Sequence, residues 1–195
     1  MRTYFLLSTL LLSLVAGAQR SADAPVTGLA FLSSVGLGVI DNEFKPRISN
    51  SIQTSPGLEY RFSRQSSLTA AVNFDSYGYE ITGSSYALNT SLKATGFVFA
   101  YRHRFGKANW LPYLKAGGGA VRLSVPNVAA SPGFTRVENN VEVTGVVSAE
   151  AGIQWNAYRR YALFVGAERE WMGKSDLLNN SLRANFYKIG LISAF

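Results

Sequence analysis

The sequence contains no cysteine, so no disulfide can staple the chain and no thiolate can hold zinc. Stability must then come from burial and backbone pairing. A single histidine, His103, is present, which leaves only carboxylate and carbonyl oxygens for a metal site. Asp41 with Glu43, or Glu138 with Glu142, is the set that would touch a divalent cation; the blander reading is solvated loop acids, and no metal or cofactor is expected. Gly117-Gly118-Gly119 leads into no helix and no P-loop lysine, so a phosphate-cradling loop is excluded. No nucleic-acid-binding motif and no appended peptidoglycan-binding segment is found. Beyond the first 18 residues no apolar run approaches the roughly 20 residues that a membrane helix requires.

What is present begins with the amino end. Arg2 supplies a positive start, 5–15 is a mostly apolar run, and Ala16-Gly17-Ala18 is a small-residue cleavage site. Residues 1–18 read as a secretory signal peptide, too short to span a bilayer. The absence of a following cysteine argues against a lipid anchor. Residues 19–195 form one domain. The formal charge of +7 is a mild basic excess, suited to anionic headgroups without requiring them. Aromatic residues make up 13% of the chain and glycine is plentiful. Apolar content dispersed as alternating residues is the composition of a membrane β-barrel.

The alternation itself predicts strands at 28–40, 52–62, 68–80, 90–105, 110–125, 141–156, 161–171 and 181–195, because successive side chains of an extended chain point to opposite faces. In the last of them Tyr187, Ile189, Leu191 and Phe195 share a row, opposite Phe186, Lys188, Gly190 and Ile192. The three glycines at 117–119 leave the faces of the fifth strand unassigned. Four connections, 41–51, 81–89, 126–140 and 173–180, read as long loops, with 126–140 the longest; three others read as tight turns. The charged residues Glu59, Arg61, Asp75, Arg102, Arg104, Glu150, Glu168, Glu170 and Lys188 fall on the rows opposite the aliphatic and aromatic ones. Aromatics gather near the short turns (Tyr60, Phe62, Trp110, Tyr113, Trp155, Tyr158, Tyr161) and toward the long loops (Tyr77, Tyr79, Trp171), which predicts two interfacial girdles.

A soluble sandwich would bury the apolar row and wet the polar one. The signal peptide, the strand lengths and the alternation of long and short connections favour the opposite arrangement. In hydrocarbon only a closed sheet satisfies its backbone, with an Arg or Lys turned to lipid near the midplane costing about 2–4 kcal/mol. The expected fold is all-β: an eight-stranded antiparallel up-and-down transmembrane barrel. Its interior is narrow enough for side chains to fill it, and Glu150 and Glu168 are expected to meet Arg102 and Lys188 there.

With eight alternating strands, a closing strand that ends on Phe195, and a lone cation on that strand's inner row, the chain resembles the small outer-membrane β-barrels of the OmpA/OmpX-like, porin-family kind. The resemblance implies short periplasmic turns, longer extracellular loops and residence in the bacterial outer membrane. It also implies Phe195 as part of the signal read by the barrel assembly machinery, and lipids and lipopolysaccharide as surroundings. Functions in such a family include envelope integrity, adhesion and loop-mediated interactions, so a non-enzymatic structural or surface-interaction barrel with an unknown extracellular partner is the expectation. A narrow channel for small solutes and a lipid-modifying enzyme are the alternatives. Some barrels of this size deacylate lipid A with a His and a Ser two positions apart on one strand; here that position is Phe105, and His103 lies on the lipid-side row at the periplasmic end.

Overall fold

The structure is a computed structural model and describes residues 27–41, 48–82, 87–106, 109–131, 134–158, 160–178 and 180–195. The signal segment 1–18 and Glu43 lie outside the described residues. The strands are β1 (Gly28–Ile40), β2 (Ile48–Arg61), β3 (Ser66–Thr82), β4 (Ala87–Arg104), β5 (Trp110–Ser131), β6 (Phe134–Tyr158), β7 (Tyr161–Ser175) and β8 (Asn180–Ala194). Each pairs antiparallel with its successor, and β1 pairs with β8 from Ala30↔Ala194 to Ile40↔Ala184, closing the barrel. The closure abolishes sheet edges along the paired span.

Parity decides what faces where. Phe97, Phe99, Leu163 and Val165 are 46%, 59%, 40% and 53% exposed on the outer wall, whereas Arg102 and Glu168 are 0% and 3% exposed within. The apolar rows point out and the charged rows in, the arrangement of a barrel whose solvent is lipid. On β5 the inward row is Leu111, Tyr113, Lys115, Gly117, Gly119, Val121 and Leu123, the outward row Trp110, Leu114, Ala116, Gly118, Ala120 and Arg122. Two of its glycines are demanded by the crowding of β4: a Cβ on Gly119 would lie 1.8 Å from the Phe97 carbonyl oxygen, and one on Gly117 2.2 Å from that of Phe99. Gly106, at φ +93°, supplies the left-handed residue of the β4–β5 turn.

The long connections differ from expectation. The stretch 126–140, read as the longest loop, is mostly paired strand: β5 and β6 stay in register from Trp110↔Trp155 to Ser131↔Phe134. Pro126 is tolerated because the pairing of β5 with β4 ends at Ser124, so its missing N–H faces an open edge. Likewise β3 and β4 zip to Thr82↔Ala87, leaving 83–86 of the expected loop 81–89. β2 begins at Ile48 inside the expected loop 41–51, and β7 reaches Ser175 through an irregularity between Trp171 and Lys174 inside 173–180. The difference between the two ends of the barrel is therefore carried chiefly by strand overhang.

Candidate functional site

The interior is layered along the axis. Toward the overhanging end Ile40, Ile48, Tyr77, Leu92, Leu123, Met172, Leu182 and Phe186 belong to one apolar cluster; toward the short-turn end Ala30, Leu32, Tyr113, Ala162, Phe164 and Ile192 form another. Among and between them lies the polar network, built by the inward rows of β2 to β8.

Glu59, fully buried on β2, receives Arg61 at 3.2 Å, Arg102 at 3.5 Å and also Arg104. Arg104 donates to Gln154 at 2.9 Å and to Ser67 at 3.2 Å. Arg102 reaches Glu150 at 3.9 Å, and its guanidinium lies 4.1 Å from the Tyr113 ring centre and 4.8 Å from that of Phe164. Glu150 also takes Lys115 and the Tyr113 hydroxyl; Glu168 takes Lys188, with Lys115 at 3.5 Å. Further along, Glu170 accepts from Gln53 at 3.1 Å and Asn73 at 3.0 Å, beside Asp75. Such a network can fix strand register and exclude water, because every charge removed from it strands an opposite charge in a low-dielectric interior.

All the charged residues singled out from the sequence thus lie inside, with Arg61 partly exposed at the rim. Glu150 and Glu168 do meet Arg102 and Lys188 respectively. Sequence reasoning missed Lys115, whose face was hidden by the glycine run. Tyr113, Tyr77 and Tyr79 depart from the girdle expectation. Tyr113 and Tyr77 are 1% and 0% exposed and point inward, and Tyr79 packs partly buried against the inner apolar cluster; Tyr113 shares the parity of Lys115, and Tyr77 and Tyr79 that of Asp75. Trp110 and Trp155 do face outward, as a stacked cross-strand pair with centres 5.4 Å apart, as do Tyr60, Phe62 and Trp171. Tyr161 is half-buried, and the side chain of Tyr158 lies outside the described residues. Phe195 is 67% exposed, its N–H donating to the Leu29 carbonyl at 3.2 Å.

His103 stands on the outward row at the short-turn end. Strand register brings Ser66 opposite it, with Ser66 Oγ 3.2 Å from His103 Nδ1 and 2.8 Å from the Tyr101 hydroxyl. This pairing was invisible to spacing along one strand, since the two residues are 37 apart. Among the described residues His103 bonds to Ser66 and Tyr101 and to no carboxylate, so the acid that would orient a hydrolytic His is not supplied. Of the acids weighed for a cation, Asp41 and Glu142 are engaged elsewhere. Asp41 is bound by Arg169 at 2.7 Å, and Glu142 accepts from Ser175 Oγ at 2.6 Å and from the N–H groups of Asp176 and Leu177. Among the described residues no group of three acidic or histidine side chains is placed to hold a metal.

No protein-family model matches the sequence, and no curated protein sequence matches it. Solved structures do resemble its fold. Neisserial surface protein A is 16% identical with a TM-score of 0.60, the alignment covering 86% of this chain and 97% of that one. Ail, the attachment invasion locus protein of Yersinia pestis, in complex with the heparin analogue sucrose octasulfate, is 14% identical with a TM-score of 0.51, covering 86% and 99%. The outer membrane protein OprG from Pseudomonas aeruginosa is 10% identical with a TM-score of 0.50, covering 87% and 97%. The fold is that of the small eight-stranded outer-membrane β-barrels.

Proposed function

We propose that this chain is an integral outer-membrane protein of structural or surface-interaction type, non-enzymatic, exported by the segment 1–18 and closed to solute flow. The observation that carries the reading is the filled lumen. Glu59, Glu150 and Glu168 are ion-paired there with Arg61, Arg102, Arg104, Lys115 and Lys188, Glu170 is held by Gln53 and Asn73 beside Asp75, and an apolar cluster caps this network toward the overhanging end. A conducting pore needs continuous water along its axis; here that axis is occupied by paired charges and packed aliphatic side chains.

In this reading the network locks the barrel, and the outward aromatics Tyr60, Phe62, Trp110, Trp155 and Trp171 anchor it at the membrane interfaces. Phe195 addresses it to the assembly machinery, and lipids with lipopolysaccharide surround it. The overhanging end presents the interaction surface. The β5–β6 hairpin supports this: its pairing continues to Ser131↔Phe134, beyond the end of β4–β5 pairing at Ser124 and of β6–β7 pairing at Val146. The purified, refolded protein should give no steady conductance in planar bilayers and no sugar-driven swelling of liposomes. Steady large single-channel currents would replace this reading with a channel.

A further inference from the structure

On the outer wall of β3 to β5, at the overhanging end, the pattern of apolar outward residues stops at two cations. Lys93 lies opposite Ser76 on one side and Ser124 on the other, and Arg122 lies opposite Thr95 and Val143. Because Thr95 is opposite Arg122 and Lys93 opposite Ser124, the two cations are diagonal neighbours on one face, within reach of each other's long side chains. Both are exposed, and among the described residues neither side chain takes part in a hydrogen bond or an ion pair. Arg169, also outward, shows the contrast: Asp41 and Asn185 already answer it. Two adjacent like charges repel unless an anion lies between them.

Their depth says which anion. On β5 twelve residues separate Arg122 from Trp110, about 40 Å of strand and about 30 Å along the membrane normal at the usual tilt, which is the thickness of the hydrocarbon core. With Trp110 at one interface, Lys93 and Arg122 stand at the opposite one, at headgroup level. Below them the outward residues of β5 are Ala120, Gly118 and Ala116, each with a bulkier outward neighbour on β4: Phe97, Phe99 and Tyr101. Phe97 and Phe99 pack edge to face at 4.7 Å and stand 46% and 59% exposed as a ridge. The small residues form a gully beside it. From Arg122 to Ala116 the gully runs about 20 Å along the strand, about 15 Å in depth, or one leaflet. There it opens into a groove of about 610 Å³ bordered by Tyr101, Ala116, Ala149, Ala151 and Ala167.

We propose that Lys93 and Arg122 clamp the phosphate of a phosphorylated membrane lipid whose acyl chain lies in the gully of Ala120, Gly118 and Ala116. The hydroxyls of Ser76, Thr95 and Ser124 surround the headgroup position. This rests on the membrane reading above and adds to it a fixed lipid site. A free phosphate would use the cations but have no use for a gully one leaflet deep.

The test is electron spin resonance of the refolded barrel in phosphatidylcholine vesicles doped with chain-labelled phosphatidic acid or chain-labelled phosphatidylcholine. The wild type should immobilise phosphatidic acid in preference to phosphatidylcholine, and Lys93→Gln with Arg122→Gln should lower that preference about thirtyfold, about fivefold for each cation removed. Ala120→Phe, which fills the gully and leaves the cations, should lower the immobilised fraction too. Inorganic phosphate in the buffer should not displace the labelled lipid. Equal immobilisation of both lipids by the wild type, an unchanged preference in the double variant, an unchanged fraction in Ala120→Phe, or full displacement by inorganic phosphate would overturn the site. The gel mobility shift of unheated samples and co-flotation with the vesicles report folding and insertion separately. A folded wild type that does not float with vesicles refutes the membrane reading and the site with it; a floating barrel without lipid preference refutes the site alone.

Discussion

Replacing Glu59 by Gln keeps the shape of the side chain and removes the charge that Arg61, Arg102 and Arg104 share. At an effective dielectric of about 20, unit charges about 3–3.5 Å apart attract by about 5 kcal/mol before desolvation is counted. The residual partners reduce the loss: Arg104 keeps Gln154 and Ser67, and Arg102 keeps Glu150 at 3.9 Å and the rings of Tyr113 and Phe164. Arg102 and Arg104 are nonetheless 0% and 2% exposed, so each loses a counter-charge that water cannot replace. Breaking a buried pair from one side costs about 3–5 kcal/mol, which is the expected effect of Glu59→Gln. Arg61→Gln is the internal control. The Arg61 side chain is 23% exposed, so its removal should cost no more than about 1 kcal/mol.

Urea unfolding of the refolded protein in lipid vesicles, followed by tryptophan fluorescence and by the mobility of unheated samples, measures both through the midpoint and slope. A Glu59→Gln barrel within about 1 kcal/mol of wild type, the range of a surface pair, would refute the reasoning. So would an Arg61→Gln barrel as damaged as Glu59→Gln, because burial would then not be what sets the cost.

Phe99→Arg, outward near the middle of β4, should cost about 2–4 kcal/mol when the barrel is folded in vesicles; no loss there would mean that this wall does not meet hydrocarbon. Tyr113→Phe removes the hydroxyl that donates to buried Glu150 and should lower stability by about 1–3 kcal/mol in the same assay, whereas a residue of an outer girdle would show almost none. Glu142 lies at the rim, where the Ser175 hydroxyl and the Asp176 and Leu177 N–H groups hold its carboxyl below the usual carboxylate range. A depressed carboxyl stabilises above its unfolded pKa, and that contribution disappears as pH falls through the folded value. Hydrogen-exchange protection of the Asp176 and Leu177 amides should therefore fall on acidification below the usual glutamate range, and Glu142→Gln should abolish the dependence.

Face was legible in the sequence wherever side chains were large enough to mark it. Along β7, Leu163, Val165 and Ala167 against Phe164, Glu168 and Glu170 leave no choice of side, and the structure places them so. Parity failed where glycine removed the marks: 117–119 hid the inward turn of Tyr113 and Lys115. Strand ends were overrun for a different reason. Outside a membrane, pairing can continue with water on both faces, so the patterning that marks the spanning part no longer limits the strand, and Pro126 reads as a loop although one edge there is open. Register was not legible at all. A two-residue period fixes a side but not a partner, so the Ser66–His103 contact and the triple occupancy of Glu59 emerge only once β3 is set between β2 and β4.

The lumen and the outer wall answer one electrostatic constraint. Among the described residues five carboxylates and five cations, formally counted, occupy the interior, Glu59, Asp75, Glu150, Glu168 and Glu170 against Arg61, Arg102, Arg104, Lys115 and Lys188. A space of low dielectric tolerates little else, because an unmatched ion there costs several kcal/mol. The chain nevertheless carries a formal charge of +7, and since that interior group formally sums to zero, the excess belongs to residues outside it. Charge on the outer wall is excluded from the hydrocarbon zone by the same desolvation cost, so it collects at the interfaces, where anionic headgroups are the available counter-ions. Lys93 and Arg122 stand at that boundary on β4 and β5. In the proposed reading, their lack of side-chain partners among the described residues is what a filled interior leaves for lipid to satisfy.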